Sequence, residues 1–198
     1  MHHTWNPWGA LVLTNNRNAL PLYVWLSKGE NVSIYSGKLN VAMLRRMGPQ
    51  AVVSYNYSHI IPETIIASLP YAIVNLHVSY LPYNRGASPN FWSFIDNTPK
   101  GVTIHEIAAG LDTGDIIAQR EMFFHEDKET FASTYQKLHE EIQKLFKQVW
   151  PAIQQHSYVV QPQKGKGTYH NTQDLRNYLL DEELDWNENI RHFKVRHR

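Results

Sequence analysis

The chain has 198 residues, of which 42% are hydrophobic and 12% aromatic, enough for one compact domain near the upper end of a single layered architecture. A net charge of +1 gives no global field to draw it onto nucleic acid or an anionic membrane. The absence of cysteine excludes disulfides, thiolate zinc sites and thiol nucleophiles, and suits a reducing compartment.

The opening residues 1–6 carry no basic segment followed by an apolar run, so no signal peptide is expected. No apolar stretch reaches the roughly 18 residues of a membrane span, and a cytoplasmic protein without membrane contact is expected. Residues 10–14 form a short apolar run between Gly9 and Asn15-Asn16 and read as a first strand. A helix over 19–28 ends at Gly29. A second strand spans 32–36, and a second helix over 38–47 stops at Gly48-Pro49. Residues 51–55 give a third strand. A short helix over 60–69 carries Pro62 in its first turn, and the run 71–74 leads as a fourth strand into Asn75. Strand–helix alternation predicts an α/β fold, a Rossmann-like, mostly parallel sheet with helices on both faces.

Further along, a short helix over 90–97 precedes strands at 102–107 and 116–122, separated by the turn-rich stretch 110–115. Phe131, Tyr135, Leu138, Ile142, Leu145 and Val149 recur every three or four residues and predict a long helix. Asp127 is its expected cap, and Pro151 should end or kink it. From Gln161 the chain turns polar. Residues 1–155 are read as one domain and 156–198 as a C-terminal tail packing on that domain. The first turn, residues 14–18, has no glycine and is not a phosphate-cradling fingerprint.

Ligands of an open parallel sheet bind beyond the carboxyl ends of its strands. Asn75 and His77 stand at such an end, two residues apart and so on one face. A hydrogen-bonded Asn and a structural His are the plain alternative. Asp112, in a tight loop after a strand that can neighbour theirs, weighs against it. An amide donor, a titratable base and a carboxylate together suit carbonyl chemistry. No serine sits in a nucleophile elbow, so the attacking group would belong to the substrate.

The segments 75–82 and 84–89 (NLHVSYLP and NRGASP) resemble the signature of folate-dependent formyltransferases. That family includes methionyl-tRNA formyltransferase, glycinamide ribonucleotide formyltransferase and the amino-sugar N-formyltransferases. Residues 101–105 (GVTIH) and 111–117 (LDTGDII) are similar to two further family elements, with the seven-residue step from His105 to Asp112 kept. Residues 54–62 sit where the family places its pterin-contacting segment. Weaker similarities lie at 167–170 and 184–186.

The resemblance implies Asn75, His77 and Asp112 as the catalytic trio and N10-formyltetrahydrofolate as co-substrate, with no metal. Asn75 would donate to the oxyanion, His77 would take the amine proton or stabilise charge, and Asp112 would hold His77. Backbone of His59, Ile60 and Ile61, and of Ala108, Ala109 and Asp112, would hold the pterin. Arg85, Gly86 and Tyr169 are candidates for the amine-substrate side, with Arg85 equally readable as a surface arginine. His105 is expected to brace the Asp112 loop. His125, His139, His156 and the basic stretch 192–198 are expected at the solvated surface. Trp5, Trp8, Trp25, Trp92 and Trp150 are expected in packing.

The expected acceptor is a small-molecule amine, an amino sugar linked to a nucleotide, in surface-polysaccharide synthesis. The chain has no basic stripe for tRNA, so no nucleic-acid partner is expected. The glycine-free first loop argues against glycinamide ribonucleotide. That acceptor, a formyl-folate hydrolase and an idle folate- or sugar-binding protein stay open as alternatives, as does a homodimer.

Overall fold

The computed structural model of the chain describes residues 9–180 and 182–197. Trp5, Trp8 and Arg198, about which expectations were stated, lie outside them. In chain order the central elements are β1 (Gly9–Leu13), α1 (Leu20–Leu26), β2 (Asn31–Tyr35), α2 (Val41–Met47), β3 (Ala51–Tyr55), α3 (Glu63–Ile66) and β4 (Val74–His77). Then come β5 (Arg85–Gly86), α4 (Pro89–Ile95), β6 (Lys100–Glu106), β7 (Ile116–Met122) and α5 (Phe131–Gln154). The chain closes with β8 (Tyr169–His170), α6 (Thr172–Tyr178) and α7 (Ile190–Arg196).

Six strands form one sheet in the order β2-β1-β3-β4-β6-β7. The first four are parallel, while β6 and β7 run antiparallel to their neighbours. The mostly parallel α/β sheet expected from the sequence is what the chain forms.

Strand alternation sorts the core into two layers. Ala10, Val12, Val53, Val74 and Leu76 face α5 through Leu138, Ile142, Phe146 and Trp150. Leu11, Leu13 and Val52 face the other way, against Met43, Leu44 and Ile65. Each large apolar side chain so covered contributes about 1.5–3 kcal/mol over its exposed state.

Several boundaries differ from the sequence reading. β4 starts at Val74 and extends through His77, so residues 71–73 precede the strand. Its register is set by β3 on one side and β6 on the other, where Asn75 pairs with His105 and His77 with Thr103. α3 is a single turn, and beyond it the backbone tightens to three-residue bonds, Ser68 N–H to the Ile65 carbonyl and Leu69 N–H to that of Ile66, before Pro70. Asp127 does not cap α5. Thr130 does, exchanging hydrogen bonds with Ser133 in a capping box. α5 also runs three residues past Pro151, since a proline this close to the end forfeits one backbone bond in the last turn only.

Residues 156–197 make extensive contacts with the rest of the chain. Gln161 pairs with Ile116, and β8 pairs with β5. Leu179, Ile190 and Phe193 join Phe91, Trp92, Phe94 and Phe131 in a third apolar cluster. The basic stretch from His192, expected to be solvated, is largely helical in α7 and anchors through buried Phe193. Trp92 and Trp150 are buried and Trp25 packs against the core. His125 and His156 are exposed.

His139 overturns its expectation: it is 4% exposed. α5 turns it toward β3, where Nδ1 shares a hydrogen bond with the Tyr55 hydroxyl, and Nε2 has no partner among the described residues. Burial lowers its pKa from 6.5 to about 4. Between those values the unfolded chain binds the proton that the folded chain refuses. Stability is therefore complete above pH 6.5 and falls as pH drops toward 4, by roughly 3 kcal/mol. His139→Gln keeps a partner for Tyr55 without the titration. Urea unfolding at pH 7.5 and pH 4.5 should show a smaller acid loss in this variant; an equal loss would contradict the assignment.

Candidate active site

The β4–β6 pair decides which side chains meet. Residues directly opposite in an antiparallel pair share a face, so His105 lies beside Asn75. Asn75 and His77 point away from α5, as Val74 and Leu76 point toward it. The loop after β6 then brings Asp112 back over them. Asp112 has φ of +50°, a left-handed conformation that Asp tolerates better than most residues. Two residues on, Gly114 lies against the Glu106 carbonyl, where an added Cβ would come within 1.8 Å of the oxygen. Only a glycine permits that closure.

The Asp112 carboxylate collects four neighbours. Oδ2 accepts the Gly86 N–H at 2.9 Å and lies 3.7 Å from His77 Nδ1. Oδ1 accepts from Asn75 Nδ2 at 3.3 Å and lies 3.6 Å from His105 Nε2. Burial alone would raise the carboxyl pKa, but the imidazoles of His77 and His105 and the Gly86 N–H outweigh it. Together they hold the group well below the usual carboxylate range. Asp112 is therefore ionised at neutral pH.

His77 Nε2 is 3.0 Å from the Asn84 carbonyl oxygen. A carbonyl only accepts, so Nε2 carries a hydrogen, and Nδ1 is the nitrogen free to gain or lose a proton beside Asp112. Asn84 can present that carbonyl because it too is left-handed, at φ of +57°, with its side chain held by Thr98 and its N–H by Thr168. His105 Nδ1 lies 2.7 Å from the Glu106 carbonyl, and its Nε2 is 3.1 Å from Asn75 Nδ2. Asn75 Nδ2 thus sits between His105 Nε2 and Asp112 Oδ1, the longer distance being the one to Asp112.

These groups open into a cleft of about 880 Å³. Asn56, Tyr57, Ser58 and Ile60 line it from the loop after β3, and Leu111 from the Asp112 loop. Gly86, Tyr135, Tyr169, His170 and Trp186 line it from elsewhere. Of the predicted pterin segment, Ile60 lines the cleft at 86% exposure. His59 instead points its Nε2 at the Ser36 carbonyl, and Ile61 packs into the second core layer. Ala108 and Ala109 do not line the cleft, and Leu111 stands there instead.

Tyr169 lines it and is 54% exposed. Arg85 donates from both Nε and Nη2 to Gln163 Oε1, at 3.1 and 2.7 Å, and does not line the cleft. β-pairing with β8 leaves Gly86 toward the cleft and Arg85 toward Gln163. Sequence reading passed over Gln163, Thr168, Tyr135 and the Asn84 carbonyl. Tyr135 was visible as a member of the α5 stripe, but Gln163 lies in a polar run with no periodicity to mark it.

The α/β sheet is that of the formyltransferase fold. Residues 17–150 match the family described as formyl transferase, and the chain belongs to that family. A solved structure of the formyltransferase PseJ from Anoxybacillus kamchatkensis, in complex with UDP-4,6-dideoxy-4-formamido-L-AltNAc and tetrahydrofolate, is 36% identical with a TM-score of 0.84. That likeness covers 96% of this chain and 100% of PseJ. A 4-N formyltransferase from Francisella tularensis shares the fold at 22% identity and a TM-score of 0.80, over 96% of this chain and 88% of its own. Among curated relatives, methionyl-tRNA formyltransferase of Solibacter usitatus is 45% identical over 82 residues, 41% of this chain and 26% of that protein. The curated relative from Geobacter metallireducens is 32% identical over 106 residues, 53% of this chain and 32% of its own length. The chain spans about a quarter to a third of the length of these curated relatives.

Proposed function

We propose that this protein transfers the formyl group of N10-formyltetrahydrofolate to the amine of a nucleotide-linked amino sugar. The convergence of Asn75, His77 and ionised Asp112 in one cleft carries this reading. As the neutral amine adds to the formyl carbon, His77 Nδ1 takes its proton, and Asp112 stabilises the imidazolium at 3.7 Å. Asn75 exchanges its long bond to Asp112 for one to the developing oxyanion. Collapse of the tetrahedral adduct then breaks the bond between the formyl carbon and N10, and His77 returns its proton to that nitrogen, so that tetrahydrofolate leaves neutral and His77 is neutral again. The exposed Ile60 and the backbone around it take the pterin, while Gly86, Tyr169 and their neighbours receive the sugar.

The acceptor class is supported by the likeness to PseJ, which extends over the whole of that chain. Methionyl-tRNA is the second reading, favoured by the curated relatives. A net charge of +1 speaks against it. No helix among the described residues is long and apolar enough to cross a membrane, and we place the reaction in the cytoplasm, as a step in building surface polysaccharide. Residues 156–198 belong to the same working unit.

The test offers the formyl donor with UDP- and dTDP-linked 4-amino and 3-amino sugars, glycinamide ribonucleotide, charged initiator tRNA or no amine. Mass spectrometry then reads the gain of one formyl group. Turnover is expected with an amino sugar and should be negligible with the tRNA. Faster formylation of tRNA would replace the proposed acceptor. Release of formate without any amine acceptor would instead mark a hydrolase.

A further inference from the structure

Gln163 lies beyond the family match at 17–150, yet it touches both loops of the site. Its Nε2 donates to the carbonyls of Asp112 and Gly114, both at 2.8 Å. Its Oε1 accepts from Arg85 Nε and Nη2. Two donor hydrogens and two acceptor positions are all the side-chain amide has, and all are used. The arrangement also fixes which way the amide faces. Turned over, it would set NH₂ against a guanidinium and oxygen against two carbonyls.

The two loops bridged in this way set the His77–Asp112 geometry. Arg85 lies between Asn84, whose carbonyl holds His77 Nε2, and Gly86, whose N–H holds Asp112 Oδ2. On the other loop, the Asp112 carbonyl is held while the residue itself sits at φ of +50°. Gln163 is anchored from both directions: Gln161 pairs with Ile116, and Thr168 binds the Asn84 N–H and receives the Arg85 N–H at its carbonyl.

We propose that Gln163 is a positioning residue that couples the His77 and Asp112 loops through Arg85, and so sets the ion pair for the formyl transfer proposed above, on which this inference rests. A shift of about 1 Å in such a pair can cost 10²-fold in rate without weakening substrate binding.

Gln163→Glu makes the decisive variant. It keeps side-chain length and strengthens the pairing with Arg85, but presents carboxylate oxygen to two carbonyls in place of two N–H groups. A segment that needs anchoring to Arg85 alone would tolerate it. Coupling predicts that Gln163→Glu and Gln163→Ala both lower kcat on the order of 10-fold or more, with KM for donor and amine within about threefold. Gln163→Asn serves if the alanine variant does not fold. In parallel, long-range ¹H–¹⁵N spectra of the full chain should show the His77 imidazole resonances move in Gln163→Glu while those of exposed His125 stay in place. Wild-type kcat in Gln163→Glu, or an unmoved His77 signal, would overturn the proposal. The spectra need no turnover, so a protein inactive on every amine would refute the proposed function while leaving the coupling to be decided by His77.

Discussion

Asp112→Asn is expected to cut the single-turnover rate of formyl transfer by a factor on the order of 10² or more while leaving the protein folded. The amide matches the carboxylate in size and can still accept the Gly86 N–H, so the loop has a route to its present closure. What disappears is the negative charge between His77 and His105. That charge persists at neutral pH even though burial opposes it, because two imidazoles and an N–H favour the ionised form. Without it, nothing across from His77 Nδ1 rewards taking a proton from the amine. The same depressed pKa means that the carboxylate contributes stability above its unfolded value of 3.8, lost as pH falls below it. A modest drop in the melting temperature at neutral pH should therefore accompany the rate loss. His77→Asn should lose a similar factor, and the double variant far less than the product of the two, since the pair acts as one unit. A folded Asp112→Asn protein with parental turnover would remove Asp112 from the chemistry.

Gly86→Ala should damage stability and activity together. Gly86 has φ of +89°, where a side chain strains the backbone by about 1–2 kcal/mol. The added Cβ would also stand 2.2 Å from the His170 carbonyl oxygen on the paired strand β8. The contact is backbone, so relief means separating β5 from β8, which pulls the Gly86 N–H off Asp112 Oδ2. A loss of about 3 kcal/mol in denaturant unfolding is expected from strain and overpacking combined. Turnover of the remaining folded protein should fall at least tenfold, on the order expected for losing a hydrogen bond to a charged group. Gly29→Ala is the control: nothing lies within 4 Å of its added Cβ, and neither quantity should change. A Gly86→Ala protein as stable and active as its parent would show that β5 and β8 are not rigidly paired.

The sequence by itself determined the alternation of apolar strands and helices, and with it the sheet. Runs such as residues 10–13 and 51–53 are apolar over their whole length because both faces of the central strands are covered, and that is a local property. It also placed Asn75 and His77 on one face, since a period of two belongs to any strand. The formyltransferase resemblance rested on short stretches in which catalytic residues and turn formers are sequence neighbours.

Tertiary structure alone decided what depends on distant partners. The start of β4 at Val74 comes from its register with β3 and β6, which no local period encodes. His139 reads as a polar residue on an amphipathic helix until Tyr55, 84 positions away, meets it in the core. Arg85 reads equally as a substrate contact or a surface arginine, and only the pairing of β5 with β8 places it against Gln163, 78 positions on. The closeness of His77 and Asp112 likewise requires two left-handed residues, a glycine packed on a carbonyl, and the cross-loop bonds of Gln163. Those are contacts between segments, and a hydrogen-bonding side chain carries no mark in its own neighbourhood of the partner it will find.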